Sequence, residues 1–237
     1  MEIIYSLIAA SAAMIGAILV LTFHKWSEKN SFLIINFSAG VMLTLAFTHL
    51  IPESLSINVN STKIMIYVLS GFLTMFFLQF VILFHPCHDD KCSKHIGLTS
   101  IIGFSLHSIT DGLIIAVGFE ANTSIGILTA LAILLHKLPD GITVSGILLH
   151  NGASKKKIFA FSFLTACFTP LGTFLGMFLF KNISMNVLSA FLSITAGTFI
   201  FLSASDLIPE THKCKNRLTY FMLFVGVFII LLLERII

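Results

Sequence analysis

Residues 38–54 read SAGVMLTLAFTHLIPES, and residues 195–211 read TAGTFIFLSASDLIPET. Seven of these 17 aligned positions are identical: Ala39/Ala196, Gly40/Gly197, Leu45/Leu202, Leu50/Leu207, Ile51/Ile208, Pro52/Pro209 and Glu53/Glu210. The first copy lies in the second long apolar stretch of the chain and the second copy in the seventh. If each stretch crosses a membrane, the two copies run in opposite directions. The repeat is therefore inverted, and the apolar stretches around it decide the architecture.

The chain has 237 residues, of which 57% are hydrophobic and 11% charged. A soluble domain carries roughly 45–50% apolar and about 25% charged residues. This excess of apolar surface excludes a soluble globular enzyme, a disordered chain, a coiled coil and a disulfide-stapled module. Apolar runs of ~20 residues match the hydrocarbon thickness of a bilayer. Eight such spans are predicted, near residues 3–23, 31–56, 64–84, 97–119, 123–149, 157–180, 184–208 and 217–236. The runs are continuous and do not alternate with period two, so a β-barrel is excluded. The expected fold class is an all-α polytopic membrane protein: inverted repeats (spans one to three and six to eight) flank central spans four and five. No basic n-region precedes residues 3–23, so they are expected to be a span and not a cleaved signal peptide.

Charge position sets the expected orientation. Lys25, Lys29, Lys91, Lys94, Lys155, Lys156, Lys157, Lys213, Lys215 and Arg217 all fall in loops after odd-numbered spans. The opposite side has only Lys63, Lys181 and Arg235. The positive-inside rule then places both termini outside the cytoplasm. Asn60, Asn122 and Asn182 each begin an Asn-x-Ser/Thr sequence on that outer side. No long basic tract exists, so nucleic acid is not an expected partner. Cys87, Cys92, Cys167 and Cys214 show no disulfide framework. His24, His150 and His212 are read as interfacial.

Span four contains His107-Ser-Ile-Thr-Asp111-Gly112, and span five contains His136-Lys-Leu-Pro-Asp140-Gly141. Both read H-x-x-x-D-G. Residues four apart share one helix face, so two facing helices bring two imidazoles and two carboxylates to one point. His107, Asp111, His136 and Asp140 form a donor set suited to Zn²⁺, Fe²⁺ or Mn²⁺. An ionisable group in hydrocarbon costs about 2.5–3.5 kcal/mol on insertion scales, so five of them in adjacent spans require a common purpose. Pro139 removes one amide donor within the second motif. Lys137 points about 100° away from His136 around the helix. It is expected either to pair with Asp111 or Asp140, or to reach the interface if the helix ends nearer than drawn. The inverted repeat is itself a feature of secondary transporters, whose site lies near mid-membrane where the halves meet.

Span four resembles the H-[NS]-x-x-[DE]-G signature, and span five the H-[EK]-x-x-[DE] signature, of the ZIP (Zrt/Irt-like) divalent metal transporters. The number of spans, the outside termini and the paired AG…LIPE helices are similar as well. The resemblance covers essentially the whole chain, 1–237, read as a single transmembrane transporter domain, and implies transport, not enzymatic turnover. It implies a primary metal site at His107, Asp111, His136 and Asp140. A second metal found in many members would use the positions of Ser108, Lys137 and Thr169. Two hydroxyls and an ammonium replace carboxylates there, so a mononuclear site is expected. Import toward the cytoplasm, through movement of spans one, four, five and six against the others, is also implied by the resemblance. So is a His-rich loop after span three, which corresponds here to residues 85–96.

Further candidates follow from position. His49 and Glu53 lie one turn apart at the end of span two; Asp206 and Glu210 occupy the equivalent places in span seven. By symmetry they suit uptake and release relays for a cation. The loop carries His85, Cys87, His88, Cys92 and His95, a composition suited to transient zinc binding. The expected partners are divalent metal ions (Zn²⁺, Fe²⁺, Mn²⁺ or Cd²⁺ as substrate, with no catalytic cofactor) and the lipid bilayer. The plasma membrane is favoured over an organelle. A small-residue face at Gly172 and Gly176 suits either a homodimer or internal packing. Two other readings compete with transport: an intramembrane zinc hydrolase and a metal-sensing receptor without flux.

Overall fold

The computed structural model describes residues 1–58, 60–83, 93–178, 185–212 and 216–236. Eight helices among them are long and apolar enough to cross a membrane: Glu2–Thr22, Ser31–Ile57, Ser61–Val81, Thr99–Glu120, Thr123–His150, Lys155–Phe178, Met185–Leu207 and Arg217–Arg235. Each boundary falls within three residues of the predicted one. No strand occurs among the described residues. Helices are the expected solution, because a chain crossing hydrocarbon must satisfy its backbone hydrogen bonds internally.

The helix ends are fixed by local chemistry. The Asn122 side chain accepts hydrogen bonds from the backbone amides of Ser124 and Ile125, at 2.7 and 3.2 Å. Asn60 accepts from the amide of Lys63 at 3.0 Å. These caps satisfy amides that the first turn of a helix leaves open. Two of the three Asn-x-Ser/Thr asparagines thus have a structural role. Asn182 lies outside the described residues.

Spans two and seven are not uniform α-helices. Each widens into a π-helical turn, at Leu45–Leu50 and Leu202–Leu207. The amide of Ile51 reaches the Ala46 carbonyl, and that of Ile208 reaches the Ser203 carbonyl, each five residues back. In both copies the next residue is a proline, Pro52 or Pro209, which has no amide to offer the preceding turn. The widened turn absorbs that missing donor. Turns of this kind mark functional positions in helices, and here they carry His49 and Asp206. The repeat seen in sequence is therefore also a repeat in backbone geometry.

The helices pack as a two-fold-related set. Span one lies on span five as span six lies on span four; span three lies on span seven as span eight lies on span two. Reciprocal glycines set these crossings. A Cβ on Gly40 would overlap the Leu223 carbonyl oxygen of span eight, and one on Gly226 would overlap that of Phe37. Gly197 meets the Val68 carbonyl, and Gly71 that of Ile194, in the equivalent crossing. Gly141 meets Ala13, Gly16 meets Leu138, Gly112 meets Thr169 and Gly172 meets Ile109 in the same manner. Without a hydrophobic force between helices in lipid, such backbone proximity provides the packing. Gly172 and Gly176 are thus occupied inside the chain, facing Ile109 and Ala116.

Contacts sort the helices into two groups. Spans one, four, five and six pack on one another, as do spans two, three, seven and eight. The groups meet where span two touches span five and span seven touches span four. Gly141→Ala is expected to destabilise the first group by about 1–3 kcal/mol through overpacking, and a lower midpoint for thermal unfolding in detergent would register it.

Candidate metal site

His107, Asp111, His136 and Asp140 converge where spans four and five cross. One ligand atom from each lies within 4.8 Å of all the others, and all four residues are buried. His107 Nε2 stands 3.3 Å from Asp111 Oδ2 and 3.4 Å from Asp140 Oδ2; His136 Nε2 stands 3.5 Å from Asp111 Oδ2. The i,i+4 spacing does what the helix period requires, placing each His and its Asp on one face.

The glycine after each Asp contributes to this placement. A residue one position on is turned about 100° around the helix. Gly112 therefore backs onto span six at Thr169, and Gly141 onto span one at Ala13. With those faces pressed against their neighbours, Asp111 and Asp140 turn toward the shared centre. The helix Thr123–His150 continues unbroken through Pro139.

Lys137 is buried to 1% relative exposure, so the interfacial alternative does not hold. Its Nζ lies 2.7 Å from Asp111 Oδ2 and 3.6 Å from Asp140 Oδ2, and donates to Ser108 Oγ at 3.0 Å. It pairs with both aspartates, not with one alone. The ammonium and Ser108 lie together beside the cluster, and buried Thr169 Oγ1 has no hydrogen-bond partner.

Ion-pair contacts aside, the polar atoms of the cluster have no hydrogen bonds. This applies to both nitrogens of His107, Nε2 of His136 and both oxygens of each aspartate. Buried polar atoms are normally satisfied, and a set that converges with the Lys137 ammonium as its close cationic partner still leaves ligand atoms free for a divalent cation. Two carboxylates and one ammonium carry a formal charge of −1 before the imidazoles are counted. A mixed N/O set of four suits zinc-type ions, not an all-oxygen calcium cage.

The symmetry-related residues outside the cluster behave differently. The His49 ring lies 5.6 Å from the His136 ring. Beside it, Thr48 Oγ1 donates to Glu234 Oε1 at 2.7 Å. Asp206 does not approach His107. It accepts from Gln79 Nε2 at 2.9 Å and from Thr99 Oγ1 at 3.5 Å. The Phe199 ring packs on His107 at 4.7 Å and on Phe104 at 5.2 Å. Both rings are fully buried. Glu53 is half-buried at the end of span two. The side chains of Glu210 and His95, and residues His85, Cys87, His88 and Cys92, lie outside the described set.

Sequence reasoning missed Glu234, Gln79, Thr99 and Phe199. An acid three residues from the end of an apolar run reads as an interfacial group, and no spacing links Glu234 to span two. Gln79 and Thr99 are uncharged, and one phenylalanine among the 24 of this chain carries no signal.

These features define a polytopic membrane protein with a buried, metal-competent His/Asp cluster on its inverted-repeat axis. The family model described as ZIP Zinc transporter matches residues 84–234, and the chain belongs to that family. Protein zntA of Dictyostelium discoideum is 33% identical over 146 residues, covering 59% of this chain and 29% of its own length. Zinc transporter YKE4 of Saccharomyces cerevisiae is 26% identical, over 75% of this chain and 60% of its own. An uncharacterized protein of Methanocaldococcus jannaschii is 28% identical over 87% of this chain and 86% of its own. The chain thus spans under a third of zntA and well over four-fifths of the archaeal protein.

Asp111→Asn leaves Lys137 with the Ser108 hydroxyl and one more distant carboxylate, that of Asp140. Removing one member of a buried pair is expected to cost about 3–5 kcal/mol, while replacing both members with apolar or neutral groups is often nearly neutral. Asp111→Asn should therefore melt well below wild type, and Asp111→Asn with Lys137→Met should recover most of the loss, as read by thermal unfolding in detergent.

Proposed function

We propose that the protein carries divalent transition metal, zinc foremost, across a membrane into the cytoplasm by alternating access. The single observation that carries this reading is the buried His107/Asp111/His136/Asp140 cluster at the junction of two inverted halves. Membership of a family described as zinc transporters, with a relative named Zinc transporter YKE4, favours flux over hydrolysis or sensing.

The asymmetry around the cluster supports alternation. On one side His49, flanked by Thr48 and Glu234, reaches the cluster through His136. On the other, Phe199 packs on His107 and Phe104, and Asp206 is held by Gln79 and Thr99. Metal arrives past Glu234 and His49 and exchanges its hydration shell for the two imidazoles and two carboxylates. Movement of spans one, four, five and six against the rest then exposes the site toward Asp206. Release past Asp206 and Glu210 delivers metal to the loop of residues 85–96, whose His85, Cys87, His88, Cys92 and His95 act as acceptors. Positive-inside charge supports a cytoplasmic lysine-rich end with both termini outside, and the membrane of this reading is the plasma membrane.

One metal binds per chain. The Lys137 ammonium, held by Ser108 and both aspartates, occupies the volume a second ion would need and supplies a positive charge in its place.

Sealed proteoliposomes with saturable Zn²⁺ uptake for wild type, and loss of that uptake in His136→Ala, would support the proposal. Absence of flux for Zn²⁺, Fe²⁺, Mn²⁺ and Cd²⁺ with binding retained would overturn it. Glu234→Gln is expected to raise the KM for zinc with little change in maximal rate. Loss of a group bonded directly to a metal ligand typically costs about 10–100-fold in metal affinity, and a smaller rise is expected for Glu234, which bonds to Thr48 and not to a ligand. Anomalous scattering from zinc-soaked crystals should show one ion per chain; two ions about 4 Å apart would refute the mononuclear site.

A further inference from the structure

A groove of about 540 Å³ opens on the outer face of the bundle, at its lysine-rich end. Val20, Ser27 and Ile34 form a buried floor, and Phe23 and Leu218 form an exposed rim. Its walls come from spans one, two, five and eight, so it straddles the seam between the two helix groups. The lining is apolar throughout. Even Ser27 offers no free hydroxyl, because its Oγ donates to the Val20 carbonyl at 3.2 Å. A concave apolar surface of this size, on the bilayer-facing side of a membrane protein, is within the range of small-molecule pockets and has the chemistry of an acyl chain.

The rim adds charge. Lys25 and Lys29 flank Trp26 and Ser27 on the short helix His24–Lys29, and Arg217 adjoins Leu218 at the start of span eight. All three basic residues are exposed. On the same short helix, Glu28 stands 3.7 Å from His24 Nδ1. Trp26 is also exposed, as is usual for an indole at the level of lipid headgroups. Basic groups beside the end of a span attract anionic lipid.

We propose that this groove binds one anionic phospholipid from the leaflet on the lysine-rich side. An acyl chain lies over Val20 and Ile34, and Lys25, Lys29 and Arg217 hold the phosphate. The lipid sits across the seam between the helix groups, with Ile142 of span five beneath it.

Native mass spectrometry of the full chain in detergent, offered equal phosphatidylglycerol and phosphatidylcholine, tests this. The expected result is one retained lipid per chain with a several-fold preference for phosphatidylglycerol. Lys25→Gln with Lys29→Gln and Arg217→Gln should abolish the preference while retaining a lipid. Leu218→Trp and Ile142→Trp, which fill the rim and the wall, should lower retention of both lipids. Equal retention of the two lipids by wild type, or unchanged retention in both tryptophan variants, would overturn the proposal. A concentration-dependent dimer abolished by Leu218→Trp would assign the groove to a second copy of the chain, and would overturn it equally. If the tryptophan variants do not elute as folded protein, the glutamine variant, which changes exposed groups only, decides.

Discussion

Asp111, Asp140 and Lys137 are charged groups held where the surrounding helices exclude water, and the rest of the bundle is arranged around that fact. A buried ion pair is favourable only when its geometry is close and its partners are fixed. Spans four and five supply the geometry through two copies of one spacing. Spans one and six supply the fixing, because Gly141 and Gly112 let their backbones approach to contact. A larger side chain at either glycine would push span five off span one or span four off span six. The carboxylates would then separate from Lys137 and from the imidazoles. The close helix crossings and the site chemistry are thus two aspects of a single constraint.

That constraint is nearly two-fold symmetric, and the departures from symmetry are where direction can arise. The π-helical turns of spans two and seven are equivalent in backbone and in the proline that follows. Their cargo differs. One turn presents an imidazole that reaches the cluster. The other presents a carboxylate held by Gln79 and Thr99. Phe199 stands at the repeat position of Met42. A flat ring packs on His107 where a flexible thioether stands in the other half, so equivalent backbones present different side chains around one centre.

Much of this was legible in the sequence. Hydropathy located all eight spans because crossing a bilayer demands a fixed length of apolar residues. The four converging residues were legible because a helix of fixed period turns an i,i+4 spacing into a shared face. The pairing of Lys137 with both aspartates was half legible: a buried lysine needs a counter-charge, yet sequence alone does not say how many carboxylates its stem can reach. The π-helical turns were not foreseen. A proline after a polar turn signals a local adjustment but not its form, since kinks, 3₁₀ turns and π turns all relieve a missing donor. Glu234 was invisible for a different reason. Its partner Thr48 is 186 positions away, and the contact exists only because span eight crosses span two at Gly40 and Gly226.

The same crossing connects the cluster to the lipid-facing surface. Span eight is held to span two by backbone proximity at those glycines, and it carries Leu218 near one end and Glu234 near the other. The first lines the apolar groove at the lysine-rich end; the second bonds to Thr48 beside the residue that touches His136. Span five repeats this connection from the opposite group, carrying His136 in the cluster and Ile142 in the groove wall, less than two helical turns apart. A displacement of the first helix group against the second therefore alters the groove and the surroundings of the cluster together: the groove has walls from both groups, and His49 of the second group lies beside His136 of the first. Occupation of the groove and the relative position of the groups are linked variables, and by thermodynamic reciprocity a molecule that favours one shape of the groove favours the matching arrangement of the site.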